Sequence, residues 1–368
     1  MTTLTAAGVN GPRSGLIERE RLRRYAVGFG KDGWQRCSEP HQNPDRKGGA
    51  KHPGNQVKVV YGLEHVEPPL TRSVLTVGNF DGVHRAHQQL LAQAGLFAAN
   101  TGGPVVVLTF EPHPLTIVTP AKAPPRLSLP DEKLRCLAQA GAQITVVARS
   151  ESALLGMDAE RFVKEVLMDR FHPTHIVEGP SFGFGRGRKG TPDLLRDVAA
   201  GFGCEVHIVG PVTVQVDDGE TLMVSSSLIR SLLGGGRVRH ATLCLGRSYV
   251  LIGRVVHGDG RGRRIGIPTA NVEIEDQLVP GEGVYAGRAI VGDRMYPCAI
   301  SIGRTPTFGG GKQQVEAHLL GFDGDLYGQP IRIEFERWLR GQKKFESAGA
   351  LVEQVGRDIE AVRLGEGE

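Results

Sequence analysis

The stretch Val77-Gly78-Asn79-Phe80-Asp81-Gly82-Val83-His84-Arg85-Ala86-His87 decides the fold of the first half of this chain. The β-rich run Ser73 to Gly78 leads into a tight Asn-Phe-Asp-Gly bend, and two histidines then open a predicted helix. The apolar side of that helix carries Leu90, Leu91, Ala94 and Phe97. A strand, a small-residue turn and a helix start place backbone N–H groups and two imidazoles around one point. That arrangement is suited to holding a phosphate.

Composition sets the limits within which this stretch is interpreted. A chain of 368 residues with 40% apolar and 23% charged residues is typical of a globular protein with two domains. The net charge of +4 gives no case for a nucleic-acid-binding protein. Five scattered cysteines without a C-x-x-C pair suggest neither a disulfide framework nor a zinc site. The sequence shows neither a membrane-length apolar run nor a secretory signal, so we expect a cytoplasmic protein.

The first half alternates short apolar strands with helices. Residues 1–56 lack apolar periodicity and are predicted to be a disordered extension. From Val57 the alternation predicts a parallel sheet covered on both faces, whose ligands lie beyond the carboxyl ends of the strands. The predicted strands are Val57–Tyr61, Val74–Gly78, Val105–Phe110, Ile144–Val147, His175–Glu178 and Glu205–Val209, and the predicted helices are His84–Asn100, Pro130–Ala140, Ala159–Arg170 and Thr191–Gly201.

The second half has a different periodicity. A capped helix, Ser225 to Gly236, ends the first predicted domain, 57–236, and a linker, 237–247, follows it. Domain 248–368 shows strand-like segments separated by glycine-rich turns, which predict a small antiparallel barrel. Its strands are predicted at Tyr249–His257, Val284–Val291, Met295–Ile302, Gln314–Leu320 and Ile331–Phe335, and a closing helix carries the apolar stripe Leu351, Val355, Ile359 and Val362.

Three motifs of the first domain occur together in one order. The first is Gly78-Asn79-Phe80-Asp81-Gly82-Val83-His84-x-x-His87, the second is Thr109–Pro114 (TFEPHP), and the third is Ser225-Ser226-Ser227-x-x-Arg230. Taken singly, a histidine pair is usually a surface feature and a serine run a common helix cap. Together they resemble the nucleotidylyltransferase superfamily, and specifically the FMN adenylyltransferase module of bacterial bifunctional riboflavin kinase/FAD synthetases. The resemblance implies a Rossmann-like domain that transfers AMP from ATP to FMN.

The resemblance also implies roles for individual residues. His84 and His87 are expected to donate to the α-phosphate, while Arg230 and the serines hold the departing pyrophosphate. Ala86 and Ser181 depart from the family pattern, which has glycine at the first position and Asp or Asn at the second. The basic run Arg186, Arg188 and Lys189 fits either a phosphate contact or a solvated loop. The implied nucleotide contacts are Gly78, Phe80, Asp81, Ser225 and Ser226, and the implied flavin contacts are Pro112, Pro114 and Ser181.

A second signature lies in the barrel region, from His257 to Asn271 (HGDGRGRRIGIPTAN). Glycines allow close approach of a phosphate to the backbone, and a proline fixes the turn before Thr269. A hydroxyl and an amide oxygen two residues apart can both face Mg²⁺, which prefers oxygen ligands. The G-x-P-T-A-N element is similar to that of riboflavin kinases, which implies Mg–ATP contacts at Gly258, Gly266, Pro268, Thr269 and Asn271, with Thr269 and Asn271 as metal ligands.

Three companion motifs support the same resemblance: Gly283–Gly287, Ser301–Phe308 and Val315–Leu320. The resemblance makes Glu316 the base that takes the proton of the ribityl hydroxyl, and Tyr285 a flavin contact. A glutamate on a strand ordinarily faces solvent, so this assignment depends on the motif. Ser301 and Gly321 depart from the usual Asn and Asp of the family.

The sequence thus predicts a bifunctional enzyme that phosphorylates riboflavin to FMN and adenylylates FMN to FAD. ATP is the expected co-substrate and Mg²⁺ the expected cofactor, with riboflavin and FMN as the other substrates. One alternative is that only one activity is retained, because of the departures at Ser181, Ser301 and Gly321. Another is a flavin- or nucleotide-binding regulator that uses its basic extension on RNA, which would show as salt-sensitive RNA binding without turnover.

Overall fold

The computed structural model describes residues 57–67, 70–216, 219–258, 260–264, 266–304, 313–365 and 367. The predicted extension, 1–56, and the Pro306–Phe308 end of one kinase-like motif lie outside the described residues.

The first half forms a six-stranded sheet in the order β1-β4-β3-β2-β5-β6. All neighbouring strands are parallel, which confirms the predicted α/β architecture. β2 is buried along its whole length because helices cover both faces of the sheet, so every side chain of this strand lies in a core. The strands are β1 Lys58–Tyr61, β2 Val74–Val77, β3 Val105–Glu111, β4 Ile144–Arg149, β5 His175–Glu178 and β6 Glu205–Ile208.

Helices α1 and α3 pack on one face of this sheet, and α5 and α6 pack on the other. The central turns of α5 are π-helical, whereas the sequence predicted a regular helix there. A short antiparallel pair, β7 Thr213–Gln215 and β8 Thr221–Met223, was not predicted. The helices are α1 Arg85–Thr101, α2 Pro114–Val118, α3 Pro130–Gln139, α4 Ser152–Leu155, α5 (Ala159–Arg161, Phe162–Met168 and Asp169–Phe171) and α6 Pro192–Ala200.

Two helices connect the sheet to the second half: α7, Ser226–Gly234, and α8, Val238–Leu245. The segment predicted as a linker therefore carries α8. Four of its residues, Val238, Ala241, Cys244 and Leu245, are buried in the same hydrophobic cluster as the barrel core. The connection is thus held by packing against the barrel.

The second half is a closed antiparallel barrel in the order β10-β13-β12-β11-β14-β9, as predicted. Strand β10 was not predicted, because its sequence ANVEI is short and has polar residues at two of five positions. In the closing helix, α10, Val362 is buried and the other stripe residues are half-buried. The elements are β9 Tyr249–Val256, α9 Arg261–Arg264, β10 Ala270–Ile274, β11 Gly283–Val291, β12 Arg294–Arg304, β13 Gln313–Leu319, β14 Pro330–Arg340 and α10 Ala348–Leu364. Across the described ranges we find no helix whose length and apolar character would let it cross a membrane.

Candidate active sites

The bend after β2 has an unusual backbone. Phe80, Gly82 and Val83 all have positive φ angles, of 49°, 83° and 39°. A Cβ on Gly82 would also lie 2.9 Å from the side chain of Leu127, so glycine is required there. The bend turns Phe80 into the core, where its side chain is 1% exposed. The ring of Phe80 is therefore a core residue, and the predicted nucleotide contacts of Phe80 and Gly78 stay predictions that only their backbone atoms could fulfil.

His84 and His87 lie together at the start of α1. His84 is the N-cap, and its Nδ1 accepts a hydrogen bond from the backbone N–H of His87 at 3.4 Å. Their rings are stacked, with centroids 3.6 Å apart. Accepting through Nδ1 requires a lone pair on that atom, so a neutral His84 carries its proton on Nε2. The ring of His87 packs against Phe80 at a centroid distance of 4.9 Å.

Both imidazoles are held in the neutral form. Burial, followed by the nearby guanidinium groups of Arg247 and Arg230, lowers the pKa of His84 to about 4. Burial also lowers the pKa of His87 well below its usual value, with smaller contributions from His84 and Lys133. The Nδ1 of His87 is buried and makes no hydrogen bond to the described residues. At neutral pH this pair therefore offers neutral N–H donors and not charged ones.

Asp81 is committed to the protein itself. Its carboxylate accepts hydrogen bonds from the backbone N–H groups of Leu127 and Ser128 at 3.0 to 3.1 Å. It also pairs with Nη2 of Arg230 at 2.5 Å. These bonds hold the carboxylate against protein donors, but Asp81 also lines the cleft beside the bend, so its nucleotide contact stays a prediction. Asp81 positions Arg230, whose Nε donates to the carbonyl of Pro125 at 2.8 Å.

The serine-rich helix start meets this bend, as the sequence predicted. Ser225 caps α7 by accepting from the N–H of Leu228 at 3.2 Å, and the hydroxyl of Ser226 donates to the carbonyl of Asp81 at 2.9 Å. Sequence reasoning missed Arg247, whose Nη2 donates to the carbonyl of Gly82 at 2.8 Å. Since Arg247 lies 165 residues from Gly82, no local pattern could have indicated this contact.

A cleft opens beside the bend, at the carboxyl ends of β2 and β3. Inside it, Nζ of Lys133 lies 3.2 Å from the carboxylate of Glu111, which also pairs with Arg126. Lys133 is 6% exposed and was missed, although a lysine on the buried side of the amphipathic α3 is a detectable signal. The lining residues are Asn79, Asp81, Phe110, Glu111, His113, Pro124, Arg126, Ser128 and Lys133.

The predicted flavin contacts of the first half lie in two places. Pro112 and Pro114 are partly buried and flank His113, a residue of the cleft wall. Ser181 is exposed on the loop after β5, where its carbonyl accepts from Arg188 at 3.2 Å. This loop is held to the core through Phe184, which packs against Phe182 and Phe162.

The barrel brings together the polar residues of the second signature. Asn271 of β10 and Ser301 of β12 are both register partners of Glu316 on β13. Nε2 of Gln314 donates to Oδ1 of Asn271 at 2.6 Å and to Oε1 of Glu316 at 3.0 Å. All four side chains are partly buried. The result is a group of oxygen atoms on adjacent strands, which is the ligand type that Mg²⁺ prefers.

The glycine-rich segment before β10 encloses this group. A Cβ on Gly258 would lie 2.0 Å from the amide nitrogen of Asn271, so the backbone passes close to that side chain. Gly266 has a φ of 77°, which favours glycine. Pro268 then accepts through its carbonyl a hydrogen bond from His318 Nδ1 at 2.7 Å. Asn271 is the second residue of β10, and Thr269 immediately precedes the strand.

Tyr285, the predicted flavin contact of the barrel, has a fully buried side chain, which meets Phe335 edge-on at 5.3 Å. Its hydroxyl donates to the carbonyl of Gly281 at 2.5 Å. The ring has no accessible surface in this structure, and the flavin contact of Tyr285 stays a prediction. The G-V-Y-A-G motif did not reveal which face of β11 the tyrosine occupies.

The comparisons with known proteins identify two family matches, one in each half of the chain. The FAD synthetase family model matches residues 67–227, and the riboflavin kinase family model matches residues 245–364. The bifunctional riboflavin kinase/FMN adenylyltransferase of Escherichia coli K12 is 35% identical over 82% of this chain and 96% of its own length. The protein of that name from Bacillus subtilis is 34% identical, over 79% of this chain and 92% of its own length. A crystal structure described as a macrolide-efflux protein from Streptococcus pneumoniae has a TM-score of 0.74 at 29% identity, and the match covers 83% of this chain and 99% of that one. This chain therefore belongs to the bifunctional riboflavin kinase/FMN adenylyltransferase family.

Proposed function

We propose that this protein makes FAD in two ATP-dependent steps. In the first, the barrel transfers the γ-phosphoryl group of ATP to the ribityl hydroxyl of riboflavin, giving FMN and ADP. In the second, the parallel-sheet half transfers AMP from ATP to the phosphate of FMN and releases pyrophosphate. Family membership supports both activities, since the two family models match successive parts of one chain and the relatives carry both names.

For the adenylyl transfer, we assign the charge stabilisation to the histidine pair. An oxygen of the FMN phosphate attacks the α-phosphorus, the bond to the bridging oxygen breaks, and negative charge builds on the non-bridging oxygens. Nε2–H of His84 and an N–H of His87 are the donors that would meet that charge at the helix start. Arg230 would stabilise the departing pyrophosphate, held in place by Asp81. Gly78, Ser225 and Ser226 line the same turn.

For the kinase step, we assign Glu316 as the base and Thr269 with Asn271 as the magnesium ligands. The oxygen atoms of these residues fit a hard cation, because Asn271 keeps one lone pair free when its other accepts from Gln314. Mg²⁺, when bound, screens the charge of the transferred phosphoryl group. Glu316 would accept the proton of the ribityl hydroxyl as that oxygen attacks. Gly258, Gly266 and Pro268 shape the backbone around the triphosphate.

We further propose that the adenylyl transfer occupies residues 57–236 and the kinase step residues 248–368, with 237–247 as the connection. A flavin site at Pro112, Pro114 and Ser181 is the weakest part of this assignment, because only the two prolines border the cleft wall. A cytoplasmic location follows from the need for ATP. It is supported by the four free cysteines among the described residues, which suit a reducing compartment.

One observation carries the proposal: a single chain contains two polar sites. The first has the hydrogen-bond donors of the histidine pair and Arg230, and the second has the oxygen acceptors of Asn271 and Glu316. The test is incubation with riboflavin and Mg–ATP, with riboflavin, FMN and FAD resolved over time. We expect FMN to appear first and FAD to follow. FMN alone, or FAD only from supplied FMN, would leave one active half. Flavin binding without turnover would instead support a regulator.

A further inference from the structure

Three potential metal ligands lie on β5 and β6, at the end of the sheet opposite the cleft beside the bend. His175 is the first residue of β5, and Glu205 is the first residue of β6 and its register partner. His207 is two residues further along β6, so alternation places it on the same face as Glu205. His175 and Glu205 therefore lie at the amino ends of their strands, whereas the bend at Gly78 follows the carboxyl end of β2. None of the three residues belongs to a motif of the proposed reactions.

The separations of the ligand atoms suit a tetrahedral metal ion. Nδ1 of His175 lies 3.1 Å from Nε2 of His207. Oε2 of Glu205 lies 4.0 Å from the first nitrogen and 3.7 Å from the second. Zinc bound at about 2.0–2.1 Å to each of four ligands places those ligands about 3.3–3.4 Å from one another. Side-chain shifts of a few tenths of an ångström would therefore close this group around one ion.

The surroundings fix the two imidazoles and leave the site accessible. The ring of Phe97, on α1, stacks on His207 at 3.9 Å and lies 5.0 Å from the ring of His175. The two histidines are partly buried, whereas the side chain of Glu205 is 71% exposed. Within the described residues, no other group of three such side chains meets this spacing.

We propose that His175, Glu205 and His207 form a structural site for a divalent transition metal, with zinc as the fitting ion. Two imidazole nitrogens and one carboxylate oxygen match zinc in ligand type, and the exposed side leaves a fourth position for water. The ion would replace the hydrogen bond between the two rings, and the proton of that bond would move to the other nitrogen of its own ring, so that both imidazoles bind in the neutral form. It would join β5 to β6 without touching the nucleotide cleft. Cysteine spacing gave no sign of this site, because it contains no cysteine.

The test uses the full chain without an affinity tag, stripped with a chelator and dialysed before titration with zinc chloride. We expect calorimetry and metal analysis to show one equivalent bound, and Co²⁺ to give the visible absorption of a tetrahedral complex. His207→Ala should lose this equivalent. Glu205→Gln, an exposed and nearly isosteric change, should weaken it. His65→Ala and Glu160→Gln, both at exposed positions outside the cluster, should retain it.

The outcome also separates this site from the active sites. Undiminished zinc uptake in both His207→Ala and Glu205→Gln, or no uptake by the stripped wild type, would overturn the proposal. Loss of the equivalent in His87→Ala, with retention in His207→Ala, would place the ion at the catalytic histidines and would overturn it equally. A far-UV circular dichroism spectrum and a denaturant midpoint of Glu205→Gln equal to those of the stripped wild type show that the variant is folded, so its zinc result stands independently of the proposed function.

Discussion

The site at the carboxyl end of β2, in the parallel sheet, presents hydrogen-bond donors, whereas the barrel site presents oxygen acceptors. The first consists of two neutral imidazoles and Arg230, while the second contains the side chains of Asn271, Ser301 and Glu316. Donors can face phosphate oxygens directly, but acceptors repel them unless a cation lies between. We therefore propose that the phosphates of ATP contact protein hydrogen-bond donors in the sheet half and a magnesium ion in the barrel half.

The two sites also differ in how they are assembled. Ser226 and Arg230 reach the bend from 145 and 149 residues away, so the sheet site depends on distant packing. The barrel site arises from the register of three neighbouring strands. A single substitution in the barrel should thus remove chemistry without disturbing the fold, whereas one near the bend risks both.

The largest expected effect is on the barrel. Glu316→Ala should reduce FMN formation by roughly 10²–10⁴-fold, since general-base catalysis typically contributes that much. Adenylylation of supplied FMN should continue, because the donor site is untouched. Both rates can be followed by chromatography of the flavins. Glu273→Ala, which removes an exposed carboxylate from the strand of Asn271, is the matched control and should retain both activities. Loss of both activities in Glu316→Ala would show that the halves are not separable.

A smaller loss is expected at the histidine pair. His87→Ala should slow FAD formation by roughly 10²–10³-fold, the usual cost of removing one donor from a developing negative charge. Riboflavin should then accumulate as FMN. The comparison variant is His65→Ala, whose imidazole is exposed on a 3₁₀ turn outside the bend. Unchanged FAD output from His87→Ala would remove this histidine from the mechanism.

The sequence predicted the elements whose patterns are local. β2, β3 and β5 were found because a strand buried on both faces is a continuous apolar run, and α1 because its apolar residues recur at helical spacing. β10 was missed because five residues with two polar positions do not form a detectable pattern.

The site was predicted less completely than the fold, because its contacts are not local. The motifs singled out His84 and Arg230, but not the Asp81–Arg230 ion pair between two of the motifs. The burial of Tyr285 was not foreseen for a related reason: a strand motif identifies residues, and the pleat decides which of them face the core. Arg247 is far from the bend in sequence and carries no local signal.

The histidine pair makes a further prediction about pH. The lowered pKa of His84, about 4 against 6.5, means that the unfolded chain takes up a proton between these values and the folded chain does not. The free energy of unfolding should therefore fall as the pH drops from 6.5 to 4, by about 3 kcal/mol for this group, with its full contribution present only above pH 6.5. Denaturant unfolding of the wild type at pH 7 and pH 4.5 should show this fall, and His84→Gln should show a smaller one.

NMR titration provides an independent reading of the same group. The imidazole signal that disappears in His84→Gln should show no protonation above about pH 5, because the folded-state pKa is about 4. A midpoint near 6.5 would mean that His84 is solvated and charged below neutrality, and the neutral-donor role would be wrong.

The smallest effect is expected where the two halves meet. Arg126 of the cleft pairs with the partly buried Glu111 of the sheet half and, at 2.7 Å, with Asp276 of the barrel half. Asp276 is 68% exposed, so water screens this pair, and Asp276→Asn should cost less than about 1 kcal/mol with both activities retained. The next residue, Gln277, is only 8% exposed. Its side-chain amide donates hydrogen bonds to the carbonyls of Leu127 and Val250, which lie on opposite sides of the junction.

Gln277→Leu should therefore cost more, about 1–3 kcal/mol, because it leaves buried carbonyls without a donor. Denaturant unfolding of the two variants beside the wild type measures this contrast. If Asp276→Asn proved as costly as Gln277→Leu, charge would hold the junction. The expected inequality instead means that the donor site and the acceptor site are fixed to each other by buried neutral hydrogen bonds, which salt does not weaken.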